Sequence, residues 1–457
     1  MTNGLGLGDA YDATLKRIAC LGGSKPKLGM AALMWVCHSE RPLNASELCD
    51  ALGVEIGSSD INHHDIPSIQ TVLGCCLGLI TVSERGLAVR LIHFTLQEYL
   101  CTHPLFTRAH SIMAEISLTY LHFQFVKGLQ PGQPIGFSSH TAPFLIYASN
   151  HWGAHLRKGS TESANSLALQ LLRHFDSHIS ATLLLSKTPY LVRGFSPKGF
   201  TGLHCAALLG LEEMAISLRG IEDLDINARD SSGQVPLHWA VTYSHLPVTK
   251  IFLDWKNVDP NARDCYERSP LSIAYDRGNT PLVEALLAKR EVNPDIPDLR
   301  FGQTPLSRAA EKGDAEMVKL FLKRSDVDPN LPDQTCHQTP LTWAAENGHT
   351  AVVQLLLERP DVNPNSVRQK PLTLAARGRH KGVVQLLLQR GNVEEGEATV
   401  REAEKYLERR EMYRRSDTCY DDDVFPKDAP ERNQAPRPTY RLINSRGLGD
   451  PARPSVI

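Results

Sequence analysis

The sequence predicts a mostly α fold: a small unit of three helices and one hairpin, a helical connector, and an α-solenoid of repeated helix pairs. Two observations carry this. A short motif recurs six times in the second half at a nearly constant step, and one hairpin signal in the first half follows three short helical runs. The 457 residues, 42% hydrophobic and 22% charged, leave room for two to four cooperative units, at roughly 100–200 residues per domain. Lys+Arg 49 against Asp+Glu 51 gives a formal charge of −2, so no global field draws the chain toward nucleic acid or an anionic membrane.

In chain order, Met30 to Cys37 is apolar with helical spacing, and Asn44 or Ser46 can cap the run Glu47 to Leu52. Pro67 opens a helix over Ser68 to Leu77. Leu79 to Val82 and Ala88 to Ile92 flank the polar turn Ser83 to Gly86, which is a hairpin signal. Three helices and a hairpin make a winged helix. Ala109 to Phe125, Pro143 to Arg157 and Ala164 to Phe175 then read as amphipathic connector helices.

The repeated motif stands at Thr201-Gly202-Leu203-His204-Cys205-Ala206-Ala207, Val235-Pro236-Leu237-His238-Trp239-Ala240 and Ser269-Pro270-Leu271-Ser272-Ile273-Ala274. It returns at Thr304-Pro305-Leu306-Ser307-Arg308-Ala309-Ala310, Thr339-Pro340-Leu341-Thr342-Trp343-Ala344-Ala345 and Pro371-Leu372-Thr373-Leu374-Ala375-Ala376. The leucines at 203, 237, 271, 306, 341 and 372 are spaced 34, 34, 35, 35 and 31. Each copy is a physical unit: Thr or Ser caps a helix, Pro occupies its first turn where no donor is lost, and small Ala residues admit the next copy. Gly210, Gly278, Gly313 and Gly348 end that helix. A second apolar run follows, as in Met317 to Leu322 and Val352 to Leu357, and Asp-Pro-Asn turns at Asp259 and Asp328 lead onward.

This pattern resembles the ankyrin repeat, over residues of about 195 to 392. It departs from it where Ser or Thr replaces His at 272, 307, 342 and 373, where Arg379 replaces Gly, and where the turn from Asn365 to Leu372 is shortened, so the last repeat is expected to be looser. In the first half, the words Trp35-Val36-Cys37-His38-Ser39-Glu40-Arg41-Pro42-Leu43, Gly74-Cys75-Cys76-Leu77-Gly78-Leu79 and His93-Phe94-Thr95-Leu96-Gln97-Glu98-Tyr99-Leu100 resemble the winged-helix domain of fungal NACHT-ankyrin proteins. These are NLR-like members of the STAND class, and the domain carries the name of GPI inositol-deacylase without implying that chemistry. Gly8 to Asp12 resembles the end of NACHT, and Pro143 to Trp152 the helical connector of the same proteins. The expected organisation is a NACHT remnant over 1–23, the winged helix over 24–104, the connector over 105–188, about six repeats over 189–392, a charged capping helix over 393–415 and a disordered, proline-bearing tail over 416–457.

The resemblance implies that partners bind at turn tips and inner-helix residues. The tips are Ser231, Ser232 and Gln234; Cys265, Tyr266 and Arg268; Leu299, Arg300, Phe301 and Gln303; and Thr335, Cys336 and Gln338. The inner-helix positions are Thr242, Tyr243, Asp276, Arg277, Glu311, Lys312, Glu346, Asn347 and Arg377. Tyr266, Leu299 and Phe301 stand out, because apolar side chains at a tip stay in water unless a partner covers them or they fold back over a neighbouring turn. Trp239 and Trp343 fall where the pattern prefers Leu and are expected in the core.

Other chemistry fits poorly. No GxxxxGK[ST] occurs, and in Gly22-Gly23-Ser24-Lys25 the first glycine is missing and Pro26 stands where Ser or Thr should ligate Mg²⁺, so no nucleotide is expected. Asp60 to Ile80 holds neither Lys nor Arg, which argues against DNA reading by the third helix. Gly194 to Gly199 fails GxSxG by one position, His63-His64 lacks further ligands nearby, and His93 and Glu98 do not share a helix face. The ten cysteines, without CxxC pairs or repeating Cys/His spacing, are expected as free thiols, Cys75 and Cys76 in the core. Met1 to Asp12 carries no signal-peptide pattern, and the apolar stretch Ile66 to Val82 is shorter than the about 20 residues of a membrane span. The expected function is a non-catalytic protein–protein interaction scaffold or sensor in the cytoplasm, with no cofactor and no metal. The alternatives are the sensor half of a nucleotide-switched NACHT ATPase and a DNA-binding regulator.

Overall fold

Apolar periodicity sets the first unit. In this computed structural model, which describes residues 7–83, 88–129, 142–187, 196–221, 224–298, 302–365, 370–390 and 401, α1 (Leu7–Ala19) buries Tyr11, Leu15 and Ile18 on one face. It packs on α2 (Lys25–His38), which buries Leu33 and Trp35 and carries Pro26 in its first turn. The expected boundary between 23 and 24 thus falls between two helices that pack together. Helix α3 (Ala45–Gly53) is capped by Asn44: its Oδ1 accepts from Glu47 N at 2.8 Å, and Glu47 Oε2 accepts from Asn44 N at 2.9 Å. Two orphan amides are satisfied at once. Helix α4 (Ile69–Cys75), capped by Ser68, precedes β1 (Ile80–Val82), which pairs antiparallel with β2 (Val89–Leu91) through Thr81 and Arg90. In α5 (Phe94–Thr102), His93 Nδ1 accepts from Thr95 N at 3.3 Å, so this histidine caps a helix.

The connector follows as α6 (Ala109–Leu121), α7 (Gln124–Lys127), α8 (Leu145–Lys158), α9 (Glu162–Arg173) and α10 (Ile179–Ser186). The run expected from 109 to 125 breaks after Leu121, where His122 folds onto the Leu118 carbonyl at 2.8 Å. Trp35 joins the two units: its indole meets Phe144 edge-on at 5.3 Å and Tyr147 at 5.8 Å, and Phe144 in turn meets Tyr120 at 5.3 Å. Such pairs add about 0.5–1.5 kcal/mol each beyond the area they bury.

Six helix pairs form the stack: α11 (Gly202–Leu209) and α12 (Glu212–Leu218), α13 (Pro236–Thr242) and α14 (Leu246–Leu253), and α15 (Pro270–Asp276) and α16 (Thr280–Leu287). They continue as α17 (Pro305–Lys312) and α18 (Ala315–Leu322), α19 (Pro340–Glu346) and α20 (Thr350–Glu358), and α21 (Pro371–Arg377) and α22 (Lys381–Gln389). The helix-ending left-handed position is taken by Gly where expected, with φ of 67° at Gly210, and by Ser244 at 61° and Arg379 at 58° where Gly is missing. The latter conformation is costly for a residue with a Cβ. The expected capping helix over 393–415 and the tail over 416–457 lie outside the described residues, apart from Arg401.

The first repeat has Gly202 where every later copy has Pro, and the reason is the connector. A Cβ on Gly202 would stand 2.8 Å from the carbonyl carbon of Leu172 in α9, and closer still to its oxygen. The connector backbone therefore lies directly on the first inner helix. Gly202→Ala is expected to destabilise the chain by about 1–3 kcal/mol, read as a lower urea midpoint, although alanine is ordinarily the better helix former. A neutral or stabilising result would contradict the docking of α9 on α11.

The first two inner helices are tied to the following turn by histidines, whereas the Ser and Thr at the same position of later copies bond within their own helix N-terminus. His204 and His238 are buried; their Nδ1 atoms accept from Thr201 N and Val235 N, so their Nε2 atoms donate to the carbonyls of Gln234 and Arg268, each at 3.1 Å. Both rings must be neutral, and burial lowers their pKa values, that of His204 to about 4. Their contribution is present above the ordinary histidine pKa near 6.5 and is lost as pH falls toward the folded value. The later repeats carry Ser272, Ser307 and Thr342 there, which do not titrate. Hydrogen exchange corrected for intrinsic rates, compared between about pH 7 and about pH 5, is expected to show protection lost in α11 and α13 and retained in α17 and α19. Equal loss along the stack would refute this assignment.

Candidate functional site

Each turn tip is built on a buried aspartate. Asp230, Asp264, Asp298 and Asp333 recur at steps of 34, 34 and 35 and are all buried. Asp230 Oδ1 accepts from Ser232 N at 2.8 Å and Gln234 N at 2.9 Å; Asp264 Oδ1 does the same for Tyr266 N and Arg268 N, each at 2.9 Å. Asp333 accepts from the amides of Thr335, Cys336 and Gln338. Burial alone would raise the Asp333 pKa, but these amides, the Thr335 hydroxyl and the Trp343 indole together hold it below its ordinary value. The turn is thus closed around a fixed charge.

The donor to the second carboxylate oxygen changes in chemical type and position along the stack. Trp239 Nε1 reaches Asp230 at 2.7 Å and Trp343 Nε1 reaches Asp333 at 3.0 Å. In the fourth repeat Arg308 stands at the corresponding helix position and reaches Asp298 at 3.1 Å. In the third that position is Ile273, and Arg268 supplies the donor from within the turn, its Nη2 2.6 Å from Asp264 Oδ2. Both tryptophans therefore have a structural role, Trp239 buried and Trp343 half-buried.

This scaffold decides which expected contact residues face solvent. Ser231, Tyr266, Asp276, Arg277, Lys312, Glu346, Asn347 and Arg377 are exposed; Gln234, Thr242, Tyr243, Arg268 and Glu311 are half-buried. Tyr266, 47% exposed, lies with the Arg268 guanidinium 5.2 Å from its ring centre, and that guanidinium is fixed by Asp264. The tip aromatic is therefore held in place before any partner arrives. Tyr243 stacks parallel on Trp239 at 5.9 Å.

Two expected contacts need correction. Gln303 and Gln338 are only 4% and 3% exposed. Their amides turn inward and donate to Glu311 at 3.0 Å and to Glu346 at 2.6 Å, so they position these carboxylates instead of presenting themselves. Asp276 is exposed but already paired, 2.5 Å from the buried Arg308. Leu299, Arg300 and Phe301 lie outside the described residues. Among the turn residues, Ser232 and Cys336 are half-buried, and Cys265 and Thr335 exposed.

The known-protein comparisons agree with this architecture. The family model for ankyrin repeats matches three times, over residues 203–298, 237–333 and 306–396. The model for the winged helix domain of GPI inositol-deacylase matches residues 15–111. No curated protein matches the chain. Among solved structures, the ankyrin repeat protein EF0377 is 22% identical over 41% of this chain and 96% of its own length, with a TM-score of 0.36. The chain thus carries ankyrin repeats and a winged-helix domain in a mostly helical fold. Among the described residues no helix is long and apolar enough to cross a membrane.

The donor swap gives a direct test. Arg268→Ala removes a charged donor from a buried carboxylate and is expected to cost about 1–3 kcal/mol. Arg263→Ala, which breaks only the exposed pair with Glu267 at 2.9 Å, is expected to cost less than about 1 kcal/mol. Urea unfolding of the two variants compares them, and equal destabilisation would contradict the buried role of Arg268.

Proposed function

We propose that this chain is a non-catalytic protein-interaction scaffold whose ankyrin stack is the binding element and whose winged helix and connector form its base. The observation that carries the reading is the row of exposed residues at two adjacent repeat positions, Arg277, Lys312 and Asn347 at one and Glu346 and Arg377 at the other, beside the prefixed aromatic tip of Tyr266. A surface that is ordered before binding loses little conformational entropy on association, which favours affinity. Aromatic and arginine side chains at such positions supply most of the energy in protein interfaces.

The order of winged helix, connector and repeats supports a finer reading as an NLR-like member of the STAND class, similar to fungal NACHT-ankyrin proteins and acting in the cytoplasm. Trp35 and Phe144, from two of the sequence words that carry that resemblance, pack against one another, which supports treating the two units as one base. In this reading the chain works through its partner, with no nucleotide, nucleic acid or membrane of its own.

The test is recovery and titration of cytosolic partners with the full chain. A variant combining Tyr266→Ala, Arg277→Glu, Lys312→Glu and Glu346→Lys is expected to keep its helical circular dichroism and weaken the dissociation constant at least about tenfold, the 1.4 kcal/mol scale of one interface anchor. Undiminished binding by a folded variant would sink the assignment.

A further inference from the structure

Cys37 and Cys101 are separated by 64 residues in sequence, yet their Sγ atoms lie 3.4 Å apart where the end of α2 meets the end of α5. Cys37 is buried and Cys101 exposed, so the pair has one sulfur in the core and one open to solvent. His38 follows Cys37, and a ring nitrogen of His38 lies within 4.8 Å of both sulfurs. Its Nε2 is buried without a hydrogen-bond partner among the described residues. The surroundings hold the ligands in place. Gln97 Nε2 donates to the Cys37 carbonyl at 3.3 Å and pins α5 to α2, while the His38 ring packs against Phe106 at 6.0 Å and His110 at 5.4 Å.

We propose that Cys37, His38 and Cys101 form a binding site for a borderline-soft divalent metal ion, of which zinc is the best match. Two sulfurs and an imidazole are the donor set such an ion selects over oxygen-rich sites. With Zn–S near 2.3 Å, two thiolates on a tetrahedral ion stand about 3.7 Å apart, so the observed 3.4 Å needs only a small adjustment. On binding, both thiols release their protons to solvent, and the two thiolates and neutral imidazole leave no net charge around the dication. That removes the obstacle to ionising the buried Cys37. The three protein ligands leave the fourth position to water on the exposed side of Cys101. A bound ion would fasten α5 to α2, the helix whose Trp35 anchors the connector.

The same sulfurs could instead form a disulfide, giving two electrons and two protons to an oxidant such as glutathione disulfide, and the experiment separates the two. The reduced full chain is titrated with Co²⁺, and one equivalent is expected to produce thiolate-to-cobalt charge-transfer absorption with tetrahedral ligand-field bands that Zn²⁺ abolishes by displacement. Cys101→Ser, at an exposed position, keeps the fold and is expected to weaken Zn²⁺ binding at least about a hundredfold, beyond what outer-shell partners contribute. His38→Gln retains the charge-transfer absorption but alters the ligand-field bands, and Cys20→Ser changes nothing. Absence of the charge-transfer absorption, its persistence undiminished in Cys101→Ser, or a Cys37–Cys101 disulfide formed in the presence of zinc and excess reduced glutathione would overturn the proposal.

Discussion

The stack depends on one constraint: the carbonyls at the end of each helix must find donors, and the next repeat supplies them. An α-helix leaves its last four carbonyls without intrahelical partners, and stacking removes many of them from water. His245 Nε2 donates to the Leu208 carbonyl at 3.0 Å, and His349 and His380 donate to those of Glu311 and Glu346, each at 2.9 Å. Arg324, Arg359 and Arg390 do the same at the far ends of the outer helices, reaching backward to Lys289, Arg324 and Arg359 respectively. Asn227, Asn261 and Asn330 extend this across the turns, each donating to a carbonyl of the following repeat at 2.7 Å. A single repeat would leave those carbonyls to water and its apolar faces exposed, so the unit is stable only in company. Register along the stack is fixed by directional bonds as well as by packing.

These ties are uneven. In the third repeat Asn279 occupies the place of the linking histidine, and its side chain caps its own helix through Leu282 N at 3.2 Å. At Asp295, where neighbouring repeats have Asn, one oxygen accepts from Asp328 N at 2.9 Å while the other is buried without a partner among the described residues. Burial raises the pKa of that carboxyl, and the nearby charges of Asp328 and Asp326 push it the same way against the hydrogen bond from the Asp328 amide and against Arg324. The third and fourth repeats therefore have fewer directional links than the fifth, although Arg308 compensates by bridging Asp276 and Asp298. Breaking a buried ion pair costs far more than the pair contributes over an apolar substitute, which makes Arg308 a residue the fold cannot easily replace.

Much of this was legible in the sequence, because a repeat multiplies weak local signals. The six leucines gave the helix pairs, and Asn44, one of the two caps offered for α3, is the cap observed, whereas Ser68, expected as the first residue of the next helix, caps it instead. The buried aspartates were equally periodic, but their meaning was hidden because the matching donor changes chemical type and position: indole at 239 and 343, guanidinium at 308, and guanidinium from the turn at 268. The inward turn of Gln303 and Gln338 was hidden for a related reason, since a polar residue at a tip has no local pattern that tells whether it faces water or a neighbouring carboxylate. Gly202 carried a readable signal, a departure from proline in one copy of six, whose cause lies in a tertiary contact with Leu172. Cys37 and Cys101 gave no spacing signal, because what brings them together is the packing of α5 on α2.

The contact between α9 and α11 bears on how the two halves work. Beyond the close approach of Gly202 to Leu172, Asn165 Nδ2 donates to Glu213 Oε2 at 2.8 Å and Ser160 Oγ donates to the same oxygen at 2.9 Å. Gly153 of α8 lies against Leu209, leaving no room there for a Cβ without movement. Trp35 ties α2 to the same connector from the other side. Displacement of α9 from α11 would require a close-packed backbone contact to rearrange, and displacement of α8 from α2 an aromatic cluster, and packed interiors resist such small adjustments. The base and the first repeat consequently move together. A partner held by Tyr266 and the inner helices would be carried in a defined orientation relative to the winged helix, which is the property a scaffold needs and a flexible tether would not supply.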